Sequence, residues 1–97
     1  MIENIKYLGF DDDFNAELMD TLGYDIVLNL ACNYENVKQN IDSLESFGIK
    51  DIKKLLLNKV DLFFTNNEEL IKKFGKYNIP VVVNLINRDY EIVDELL

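Results

Sequence analysis

Phe47-Gly48-Ile49-Lys50-Asp51-Ile52 returns 27 residues later as Phe74-Gly75-Lys76-Tyr77-Asn78-Ile79. A weaker copy, Leu22-Gly23-Tyr24-Asp25-Ile26, lies 25 residues before the first. An apolar cluster follows each phrase: Ile26-Val27-Leu28, then Leu55-Leu56-Leu57, then Val81-Val82-Val83. Self-similarity at such a period marks stacked supersecondary units that cannot bury their apolar faces alone and so share a core. The reading that follows is an all-α, short helical-repeat, solenoid-like array of about three units, in one domain over residues 1–97.

Around the phrases, the spacing of apolar residues predicts the helices. Tyr34, Val37, Ile41, Leu44 and Phe47 fall on one stripe and predict a helix over 34–47. Phe14, Leu18 and Leu22 predict one over 13–22, behind Asp11-Asp12-Asp13, whose carboxylates favour a helix start. A helix over 50–58 points Ile52, Leu55 and Leu56 inward and Lys50, Lys53 and Lys54 outward. Thr65-Asn66-Asn67-Glu68 reads as a capping box for a helix to Lys76, with Leu70, Ile71 and Phe74 on its apolar face. Pro80 suits the first turn of a helix capped by Asn78, and a last helix is expected over 89–97. Gly9, Gly23, Gly48 and Gly75 each follow an apolar residue and are expected to end helices in the left-handed conformation. Phe47 and Phe74 are expected to be buried at the junctions between units. Two segments also suit buried strands by composition, so the alternative is an α/β fold with short strands at 26–30 and 81–86. The parallel with the Lys-rich, helix-like 52–57 segment decides for helix.

The stretch Asn36-Val37-Lys38-Gln39-Asn40-Ile41-Asp42-Ser43-Leu44-Glu45-Ser46-Phe47-Gly48-Ile49, then Asp51 to Leu57, then Asp61-Leu62-Phe63-Phe64, resembles a repeat of the mitochondrial transcription termination factor family. The likeness covers residues 34–76, and 77–97 more loosely. It implies a curved stack of helical triplets and, in that family, nucleic-acid binding.

The charge of this chain points elsewhere. Its net charge is −8. Residues 1–46 hold ten acidic and two basic side chains, residues 47–76 four and seven, and residues 77–97 four and one. Acidic ends repel polyanions, which argues against nucleic acid and anionic membranes as partners. No apolar run is long enough to cross a bilayer, no basic-then-apolar leader opens the chain, and Cys32 is the only cysteine. The expectation is a cytoplasmic protein without disulfides.

Little in the chain promises chemistry. There is no His, which removes the commonest general base and metal ligand. Asp11, Asp13, Asn15 and Glu17 imitate a calcium loop, but Ala16 and Leu22 replace the required Gly and Glu. Cys32, beside Leu30 and Ala31, is expected to be a small buried apolar residue. No catalytic, cofactor or metal site is expected. The candidate partner-binding residues are the acidic Asp11, Asp12, Asp13, Glu17 and Asp20, with Asp25 beyond them, and the basic Lys50, Lys53, Lys54, Lys72, Lys73 and Lys76, with Lys59 among them. The function expected is a small acidic, non-enzymatic module that binds another protein. One alternative is an acidic inhibitor that imitates nucleic acid and blocks a nucleic-acid-binding protein. Another is weak nucleic-acid binding through the lysines.

Overall fold

In a computed structural model that describes all of Met1–Leu97, each copy of the repeated phrase ends one helix and starts the next. The chain opens with a 3₁₀ helix, Ile2–Leu8, and continues through α1 (Asp12–Leu22), α2 (Tyr24–Cys32), α3 (Tyr34–Phe47), α4 (Ile52–Asn58), α5 (Val60–Phe64), α6 (Asn67–Gly75) and α7 (Ile79–Arg88). A 3₁₀ turn, Tyr90–Ile92, leads into a last short helix, α8 (Val93–Leu96). There is no strand: segments 26–30 and 81–86 lie inside α2 and α7, so the fold is all-α.

The phrase works through its polar residue. Asp51 and Asn78, each three residues after the glycine, are the N-caps of α4 and α7. Their side chains accept from Lys54 N at 3.0 Å and Val81 N at 3.3 Å. The weaker copy is tighter, because Gly23 both ends α1 and precedes the first residue of α2.

The glycines divide. Gly9 (φ 89°) and Gly48 (φ 113°) are left-handed stops, as expected. Gly23 shares the positive φ but has ψ 164°, because the next helix begins immediately. Gly75 is an ordinary last residue of α6, and right-handed Lys76 caps the helix. Lys76 N bonds Lys73 O and Tyr77 N bonds Phe74 O. The helix thus unwinds through three-residue turns and needs no left-handed residue. Gly48→Ala should therefore destabilise by about 1–2 kcal/mol through its backbone alone. Its new Cβ would also meet Val83 Cγ1 at 3.3 Å. Gly75→Ala, with open space around it, should stabilise by about 0.5 kcal/mol. Urea denaturation of both variants checks the contrast.

Twenty buried residues form one core, contributed by every α-helix, by Leu8 of the first 3₁₀ helix and by Ile49 between α3 and α4. The radius of gyration is 13.0 Å. A globular chain of this length would have about 12.5 Å, so the units close around shared interior. Helix α3 is the hub, packing against the first 3₁₀ helix and against α2, α4, α5, α6 and α7. Its apolar stripe, Val37, Ile41 and Leu44, is buried as the spacing predicts.

Beside that stripe runs an amide ladder. Asn40 is the only buried polar residue. Its Nδ2 donates to the carbonyls of Phe63 (2.9 Å) and Thr65 (2.6 Å). Asn36 Nδ2 also donates to Thr65 O at 2.9 Å, and its Oδ1 accepts from Asn67 N at 3.0 Å. Asn67 Nδ2 completes the set by donating to Asn40 Oδ1 (3.0 Å) and Ser43 Oγ (3.1 Å). Asn36, Asn40 and Ser43 stand four and three apart, on one line of α3, and clasp the turn between α5 and α6.

Four further expectations change. The ladder occupies Asn67 and the Thr65 carbonyl, and the cap of α6 is Asn66, whose Oδ1 accepts from Glu68 N and Glu69 N. The expected capping box from Thr65 therefore does not form. Ile71 is exposed, since Leu70 and Phe74, four apart, take the inward line. Phe47 is only half-buried, at the end of α3, while Phe74 is fully buried; their rings meet at 5.2 Å. Cys32 is exposed, because Leu30 and Ala31 face inward and each helical step turns the chain about 100°.

Candidate functional site

Of the expected site residues, the acidic set gathers on α1. Asp11 is its N-cap, with Oδ1 accepting from Phe14 N at 2.8 Å, and Asp12 and Asp13 occupy the first turn. Asp13, Glu17 and Asp20, spaced by four and three, lie exposed on one face of the helix. Asp25 stands in the first turn of α2. None of these six carboxylates is in an ion pair. The calcium-like spacing Asp11 to Glu17 is wound into α1, so its oxygens point around the helix instead of inward to one centre. No cluster of three His, Cys, Asp or Glu side chains has metal-binding geometry.

The lysines are distributed differently. Lys53 lies over the Phe14 ring and Lys54 over the Tyr90 ring, each 5.3 Å from the centroid. Lys50 joins Lys54 beside a cavity of about 250 Å³ between the start of α4 and the end of α7. There Asn87 ties the two elements, accepting from Lys50 N and donating to Gly48 O, both at 3.0 Å. Lys72 pairs loosely with Glu69 at 3.9 Å, and exposed Lys76 caps α6. Lys59 and Lys73 share the wall of a larger groove of about 480 Å³, floored by Val60 and Leu62 and bounded by Val93, Asp94 and Leu97 of the C-terminal segment.

Lys59 is the electrostatic centre of that groove. Its ammonium bonds Glu91 at 2.9 Å and Asp94 at 2.7 Å, while its own side chain is only 14% exposed. Hydrogen bonds to Asp94 first, then Glu91, hold it well above the usual lysine range. Nearby, Tyr77 Oη donates to Leu96 O at 2.7 Å and Lys73 Nζ to Leu97 O at 3.4 Å.

A third surface was not anticipated. Val81 (56% exposed) and Leu85 (37% exposed) stand four apart on the outer face of α7, and Ile71 and Tyr77 are exposed just before that helix. The signal was in the sequence. Val81, Val82, Val83, Leu85 and Ile86 are too many apolar residues for one helix face, and only Val82, Val83 and Ile86 are buried.

No protein-family model, curated protein or solved structure matches the chain.

Proposed function

We propose that this protein is a non-enzymatic interaction module that docks a partner protein on the outer face of α7. The observation that carries this reading is the exposed pair Val81 and Leu85 on a helix whose opposite face is fully packed. A rigid helix presenting an apolar pair four residues apart suits docking into, or against, a partner's apolar surface. The test joins capture to reconstitution. A partner recovered from native lysate is purified and bound to the wild type and to Val81→Asp/Leu85→Asp. We expect the double variant to lose at least about 100-fold in affinity, from about 2–3 kcal/mol of lost burial and added charge. Salt dependence should be shallow. Unchanged affinity in that variant rejects this surface.

The bare carboxylates of α1 favour a second reading, the acidic mimic of nucleic acid. In that case the captured partner is a basic nucleic-acid-binding protein and affinity falls steeply with salt. Neutralising Asp13, Glu17 and Asp20 then slows association more than dissociation. Nucleic-acid binding through Lys50, Lys53, Lys54, Lys72, Lys73 and Lys76, which the transcription-termination resemblance implies, ranks third. Several of these lysines already face aromatic rings, carboxylates or carbonyls of the same chain.

A further inference from the structure

The C-terminal segment, Tyr90–Leu97, is held in an unusual way. Helix α8, Val93–Leu96, packs its backbone chiefly on the 3₁₀ turn before it. Its attachment to the rest of the protein runs through side chains. Val93 is buried, Leu96 and Leu97 are half-buried, and Glu91 and Asp94 grip Lys59 from the solvent side. The two carboxylates are themselves 63% and 66% exposed, so water and salt compete for them. Alongside the segment lies the groove of about 480 Å³, lined on one side by Val93, Asp94 and Leu97 and on the other by Val60, Leu62, Lys59 and Lys73. Its lining is mixed, with Val60 and Leu62 beside Lys59, Lys73, Asp61 and Thr65, which suits a segment carrying both apolar and charged side chains.

We infer that Tyr90–Leu97 is an internal stand-in for a ligand, seated along a lysine-bearing groove of mixed lining that receives an acidic amphipathic helical segment of a partner protein. The segment itself shows what the groove selects. Glu91 and Asp94 put two carboxylates on Lys59, while Val93 and Leu97, four residues apart, line the groove together with Val60 and Leu62. A partner with the same spacing and a longer helix displaces the short one, because it loses less order per contact made. This inference rests on the interaction-module reading but uses a different surface from α7.

The probe is a labelled peptide of residues 88–97, Arg-Asp-Tyr-Glu-Ile-Val-Asp-Glu-Leu-Leu, titrated by fluorescence anisotropy into the 97-residue chain. An occupied groove weakens apparent affinity in proportion to its open fraction. The peptide should therefore bind Glu91→Lys/Asp94→Lys about tenfold more tightly than the wild type. The milder Asp94→Asn should fall between, and serves if the double variant does not fold. Lys59→Glu should abolish binding, and Val81→Asp/Leu85→Asp should leave it unchanged, which separates this groove from the α7 surface. The proposal fails if neither segment variant binds the peptide more tightly than the wild type. It fails if Lys59→Glu binds as well as the wild type, or if a scrambled peptide of the same composition binds equally. It fails also if segment variants form a dimer that the peptide does not dissociate, since the occupant is then a second copy of the chain.

Discussion

Phe74→Ala should cost about 4 kcal/mol of stability and Phe47→Ala only about 1–2 kcal/mol, although the two residues open matching copies of one phrase. Phe74 has no exposed surface, and its removal leaves a void between α3, α6 and α7 that a packed interior fills poorly. Phe47 keeps one side in water and contributes chiefly the other side of a ring contact at 5.2 Å and 30°. Denaturant midpoints at constant slope report both losses. Equal losses would show that the second copy of the phrase is buried no more deeply than the first.

Asn40→Asp should be as damaging, at about 3–5 kcal/mol at neutral pH, despite nearly identical volume. The change replaces two N–H donors with a charged oxygen aimed at the carbonyls of Phe63 and Thr65. Asn40→Ala should cost less, about 2–3 kcal/mol, because Thr65 O keeps Asn36 and Asn67 Nδ2 keeps Ser43. Relative to the wild type, the aspartate variant should recover as pH falls, because the neutral acid regains one donor. Burial raises that carboxyl above its unfolded value, so stability present at low pH is lost as pH rises through the folded value. Thermal unfolding of the three proteins across pH gives the ordering. An aspartate variant as stable as the alanine one would mean that the ladder admits water.

The helices legible in the sequence were those with a long apolar stripe. Helix α3 has the predicted bounds, and α1 differs by one residue at its start. Helices α2 and α7 resisted a direct reading because Ile26 to Leu30 and Val81 to Ile86 are too short and too apolar for periodicity to separate helix from strand. The repeat settled them, through the parallel with the Lys-rich 52–57 segment, which forms α4. The five-residue α5 and the seven-residue first 3₁₀ helix left no such mark: both are short and neither carries a side-chain cap. The cap of α6 was misplaced by one residue because the partners of Asn67 lie on α3, at least 24 residues away in sequence. Local rules place caps by neighbours and miss contacts of that range. Among the candidate residues, Asp13, Glu17 and Asp20 lie exposed on one face of α1, a placement that helix spacing alone dictates. The engagement of Lys59 depends on a C-terminal segment that sequence places 32 and 35 residues away, at Glu91 and Asp94.

The amide ladder also limits what can happen to this architecture over time. Repeat arrays whose units meet only through apolar faces grow and shrink by duplicating or deleting a unit, since every joint accepts every neighbour. Here Asn36, Asn40 and Ser43 on one side and Asn67 on the other make the joint of the second and third units a keyed one. The stretch before Leu22-Gly23 carries only part of a matching set: counted back by the same 25 residues, Asp11, Asn15 and Leu18 stand where α3 has Asn36, Asn40 and Ser43. With Leu18 in place of Ser43 and Asp11 in place of Asn36, the earlier copy could not take the place of α3 without leaving Asn67 short of its partners, so the ladder ties α6 to α3 in particular.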